Sequence, residues 1–74
     1  MKLTIMPDQL YFEENCDFLY RNFRLFHFTV VLINEAVCAD SVRLVSADTF
    51  AYGNGGMEHR VSIDRVDRIE ARVA

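Results

Sequence analysis

Residues Arg24 to Ile33, RLFHFTVVLI, form the densest run of β-branched and aromatic side chains in the chain, and such a run is a central strand. In a strand, Phe26, Phe28, Val30 and Leu32 share one wholly apolar face, while Leu25, His27, Thr29, Val31 and Ile33 share a mixed one. One face therefore belongs to a core and the other to a second, partly wet surface, and the strand needs sheet neighbours on both flanks.

The flanking segments supply them. Lys2 to Met6 alternates as a short strand that Pro7 ends, because proline has no N–H to give to a ladder. Asp8 is positioned as a helix N-cap, and Phe12, Cys16, Leu19, Tyr20 and Phe23 then recur at helical spacing, with Glu13, Glu14, Asp17 and Arg21 outside the stripe. Acids early and Arg21 and Arg24 late suit the helix dipole, and the weak helix formers around Asn22 end it. After the central strand, Asn34-Glu35 has the spacing of a tight turn. The next run, Ala36 to Val45, loses its alternation at Asp40 and Ser41, as a strand does where it bends from one wall to another. Phe50 to Tyr52 is a short strand, and Gly53-Asn54-Gly55-Gly56 holds every glycine of the chain and forms a hairpin tip. Met57, His59, Val61 and Ile63 alternate with Glu58, Arg60 and Ser62, which predicts a strand with the first set inward. In the last segment Ile63, Val66, Ile69 and Val73 fit a helix, whereas Ile69, Ala71 and Val73 alternate as in a strand. The β-branched residues favour one turn at Asp64 to Val66 and then a strand.

The expected class is thus α+β, mainly β, in one domain of 74 residues: a strand and helix over 1–23, then a five-stranded, strongly bent antiparallel barrel over 24–74. A domain this short buries a small fraction of its surface, so self-association is one expected route to stability. The apolar run at the N-terminus is too short for a signal peptide or membrane span, and two cysteines without such a signal are expected to be reduced and buried. The expected compartment is the cytoplasm. A net charge of −3 with one lysine and seven arginines opposes DNA binding, which needs a basic stripe to neutralise phosphates.

The order of elements carries a resemblance. HFTVVLINEAVCADSVRLVSADTFAYGNG resembles the first three strands of Sm-like and SH3-like small barrels, including the bacterial Sm-like RNA chaperone, and VSIDRVDRIEA resembles their short turn and closing strand. It covers roughly the last two-thirds of the chain. Glu35 and Asp40 stand where that family has glycines, and Ile63-Asp64-Arg65 stands where it has a basic-histidine signature. Those positions carry RNA contacts in the family, so their loss argues against an RNA reader. A helix ahead of the barrel, Asn15-Cys16-Asp17 before an apolar strand and the net acidity are similar to the Rho-binding antiterminators, acidic Sm-like proteins that act by protein contact. The resemblance implies a protein-binding regulator or inhibitor.

The candidate partner-binding residues are Asp8, Glu13, Glu14 and Asp17, an acidic cluster with no basic residue among them, suited to a basic protein surface or to self-association. The rival reading is a single-stranded RNA surface using Phe26, His27, Arg43, Arg60 and Arg65 as stacking and phosphate groups. Cys16, His27, Cys38 and His59 lack the short spacing by which one loop presents two zinc ligands. The reading is therefore non-enzymatic, with no metal, no cofactor and no membrane.

Overall fold

A computed structural model of the chain describes residues 1–74. The elements in order are β1 (Lys2–Ile5), the helix α1 (Phe12–Arg21), a 3-10 turn (Phe23–Leu25), β2 (Phe26–Leu32), β3 (Ala36–Ala39), β4 (Ser41–Ser46), β5 (Thr49–Asn54), β6 (Met57–Ser62), a second 3-10 turn (Ile63–Arg65) and β7 (Val66–Val73). They make two antiparallel sheets, β1-β7-β2-β3 and β4-β5-β6.

This is not a closed five-stranded barrel. The chain has seven strands, because the run from Ala36 divides at Asp40, and closure fails for a definite reason. Strand β7 pairs with β2 along one edge and with β1 along the other, Leu3 lying opposite Ala71 and Phe28 opposite Ala71 from the far side. The N-terminal strand occupies the edge that β6 would need, and β6 instead ends in the 3-10 turn, whose Asp64 N–H is held by Ser62 Oγ.

The core lies between the sheets and under α1. Phe28, Val30 and Leu32 are buried on β2, with Ile69 and Ala71 from β7, Val42 from β4 and Phe50 from β5. From the helix, Phe12, Cys16 and Leu19 close the same cluster. The inward row changes phase at Asp40: Val37 and Ala39 point inward before it, Val42 and Leu44 after it. The Asp40 N–H donates to Gly53 O at 2.8 Å and its Oδ2 accepts from the Gly55 N–H at 3.1 Å, which fixes the bend.

Several local expectations shift. Asp8 does not cap the helix: α1 starts at Phe12 with Tyr11 at the cap position, and residues 7–11 form turns in which Gln9 Oε1 accepts from the Met6 N–H. Tyr20 and Phe23, at the end of the helical stripe, stay exposed. Arg24 and Leu25 belong to the 3-10 turn, not to β2. The first hairpin turns at Ile33-Asn34, one residue early, because Leu32 and Glu35 still pair. At the tip between β5 and β6, Gly55 and Gly56 take φ of 61° and 83°, the left-handed region that a two-residue hairpin turn demands. At Gly53 a Cβ would stand 2.7 Å from Ser41 Oγ, a contact that rotation of the serine side chain relieves. On β6, Met57 and His59 are exposed rather than inward, since the strand's outer half extends past the core. Of the two free cysteines, Cys16 is buried and Cys38 exposed. No helix is long and apolar enough to cross a membrane.

Candidate functional site

The buried stripe of α1 fixes where its acids point. With Phe12, Cys16 and Leu19 turned into the core, Glu13, Glu14 and Asp17 fall on the flanks, and the helix lies along β4, whose other edge pairs with β5. Between α1 and β4 runs a groove of about 600 Å³, with Glu13, Glu14, Asp17 and Tyr20 on the helix side and Arg43 to Ala47 on the strand side. Cys16 forms its floor and is itself 1% exposed. Burial pushes that thiol up to about 12, so it stays protonated and unreactive at neutral pH.

Asp8 lies in an adjoining hollow of about 490 Å³, which it lines with Met6, Pro7 and Phe12 and with Asp64 and Asp67 from the far end of the chain. Ala47 borders both hollows, which makes them neighbours. Three of the four predicted acids, Glu13, Glu14 and Asp17, therefore share one groove, and Asp8 sits in the next. Missed from sequence were Tyr20, Asp64 and Asp67. Asp64 is brought there by the Ile63 N–H, which donates to Asp48 O at 2.8 Å, a pairing across chain that no local pattern announces.

The electrostatics of this surface differ from those of the sheets. Asp8, Glu13, Glu14 and Asp64 make no ion pair, and Asp17 pairs only with Arg21 at 2.9 Å, within the same helix. On the sheets, Glu58 is held by Arg43 and Arg60, and Glu70 by Lys2 and Arg68. Arg43 borders the groove, but its guanidinium turns away to Glu58, with Nη2 at 2.8 and 3.0 Å from the two carboxylate oxygens. Glu13 and Glu14 stand in the first turn of α1, where the helix dipole favours them without any cation.

Of the five residues of the RNA reading, only Arg43 and Arg60 are brought together. Phe26 packs edge-on to Phe18, with centroids 6.2 Å apart, and is half-buried. His27 is exposed on the outer face of the four-stranded sheet, in register with Arg72. Arg43 and Arg60 lie on the outer face of the other sheet, both engaged by Glu58, and Arg65 is in the second 3-10 turn. Cys16, His27, Cys38 and His59 lie on four different elements, and no three His, Cys, Asp or Glu side chains gather at ligating distance. No protein-family model matches the chain, and no curated protein or solved structure is significantly similar to it.

Proposed function

We propose that the chain is a non-enzymatic interaction protein that receives a basic segment of a protein partner in the groove between α1 and β4. The observation that carries this reading is a gathering of unpaired charge: Glu58, Asp67 and Glu70 on the strands are paired within the chain and the unpaired Glu35, Asp40 and Asp48 are scattered over turns, while Asp8, Glu13, Glu14 and Asp64 stand without a cation around two adjoining hollows. Unpaired like charges cost a small domain stability and offer nothing to its core, but they steer and hold a cationic partner. Exposed Leu10, Tyr11 and Tyr20 beside the acids supply apolar and aromatic contact area of the kind interfaces use.

The test is a comparison of captured proteins. Wild-type chain and the triple variant Glu13→Lys, Glu14→Lys, Asp17→Lys are immobilised and exposed to lysate of the source cell at low and high salt. A basic protein retained by the wild type at low salt, lost at high salt and lost with the variant supports the groove. Identical retention by both chains, with circular dichroism showing both folded, removes it. Adding Asp8→Lys should deepen the loss, since that residue borders the adjoining hollow.

A further inference from the structure

We propose that the free edge of β6 pairs antiparallel with the β6 edge of a second copy of the chain, in the register that sets Glu58 of each protomer opposite Arg60 of the partner subunit. This surface is separate from the acidic groove and does not rest on it: β4 and β6 are opposite edges of the same sheet.

Two sheets leave four edge strands, β1, β3, β4 and β6, and they are treated differently. Strand β4 is covered by α1. The outer side of β3 is met by the β5–β6 hairpin, Asn54 Nδ2 donating to Cys38 O at 3.0 Å. Strand β1 has four residues and begins at a lysine, both features that blunt an edge. Strand β6 has six residues, pairs with β5 without a register shift, carries no proline and has no strand on its other side. A regular, open edge of this length is a template for another strand.

Backbone geometry then limits which residues can meet. The turn at Gly55-Gly56 makes Asn54 and Met57 a hydrogen-bonded pair, and the alternation makes Tyr52 with His59 and Phe50 with Val61 the next. The N–H and C=O groups of Glu58, Arg60 and Ser62 therefore point away from β5, and an added antiparallel strand must set such residues against each other. A two-fold axis at Glu58 brings two glutamates face to face, and one at Arg60 brings two arginines, both destabilising. An axis at His59 places Glu58 against Arg60 on both sides, each pair exchanging its backbone bonds, and places Met57 against Val61 on the other face. This register alone joins unlike charges directly. It also covers Met57, which is 65% exposed in the single chain. Glu58 already accepts from Arg43 and Arg60 of its own chain on the outer face, so the partner subunit's Arg60 completes a row of alternating charge.

Sedimentation equilibrium over a concentration series, with amide exchange of the same samples, tests the pairing. The expected mass rises from 8.6 kDa to twice that value and stops there, and the Glu58 and Arg60 amides become protected as it rises. Arg60→Glu sets carboxylates against each other and should give a monomer. The exchange Glu58→Arg with Arg60→Glu restores unlike pairs and should recover the dimer. Because Glu58 also holds Arg43, Arg60→Pro serves as a second block: besides the Arg60 guanidinium it removes only an outward N–H, it introduces no carboxylate, and it leaves the ladder to β5 intact. A monomer at about 1 mM chain with both amides unprotected overturns the proposal. So does a dimer that survives Arg60→Glu and Arg60→Pro, a folded double exchange that stays monomeric, or a mass that grows beyond two chains.

Discussion

The two sheets of this protein spend the same kind of strand differently. In the four-stranded sheet, β7 has a partner on each side, and its row Val66, Ile69 and Ala71 is buried against β2 and the helix. In the three-stranded sheet, only β5 has two partners; β6 has one, and none of its residues is buried. The lesson is that β7, paired on both sides, carries core, while β6, an edge strand, carries surface, although their sequences alternate in the same way; β4 and β5 still give Val42 and Phe50 to the core.

The harshest way to break that contrast is Val30→Asp. Val30 is fully buried on β2, and a carboxylate there has no cation or donor to meet it, so the domain should be unfolded by circular dichroism at neutral pH. Phe28→Ala, on the same face, should cost about 3 to 5 kcal/mol in urea denaturation, comparable with the whole stability of a small domain. The thiols sharpen it in another way. Cys38 on the exposed face of β3 should react readily with a thiol reagent, whereas Cys16 on the buried face of α1 should react only as the domain opens.

Charge pairing gives a milder effect. Hydrogen bonds from Ser46 and Thr49 hold Asp48 below the usual carboxylate range, Arg43 and then Arg60 do so for Glu58, and Arg68 and then Lys2 for Glu70. Their folded values lie below the unfolded ones, so the stability they add is present above the ordinary carboxylate range and is lost as pH falls through the folded values. The thermal midpoint should hold steady from pH 7 to about 5 and drop below it, and Glu58→Gln with Glu70→Gln should flatten that acid limb. At the small end, Met57→Ser on β6, read in the dilute monomer, should change stability by no more than about 0.5 kcal/mol. A larger loss there would mean that the outer half of β6 is not surface.

Much of this architecture is legible in the residues. The lost alternation at Asp40 marks the passage between sheets, and the three glycines mark the tip. The ambiguity at the C-terminus also has a physical source. Val31 faces Arg68 but Leu32 faces Val66, so Asp67 is an extra residue in β7, and this bulge gives Val66 and Ile69 the three-residue spacing of a helix. What could not be read was destination. The alternation of Lys2 to Met6 identifies a strand but not that it would take the second edge of β7, and it is this that keeps the barrel open. The alternation of β6 likewise shows period and not burial. In the acidic surface, the run from Asp8 to Asp17 was visible, but Asp64 joins it through the long-range contact of Ile63 with Asp48 and Asp67 through the pairing of β7 with β1.

The bend at Asp40 has its largest consequence in how the molecule comes apart. Ala36–Ala39 is laced to one sheet and Ser41–Ser46 to the other, with a single residue between them and no slack in it. Neither sheet can open far without a pull on its neighbour through the covalent chain. Phe28 and Ile69 of one sheet also share one core cluster with Val42 and Phe50 of the other, so the domain should melt as a whole rather than peel from the exposed edge at β6.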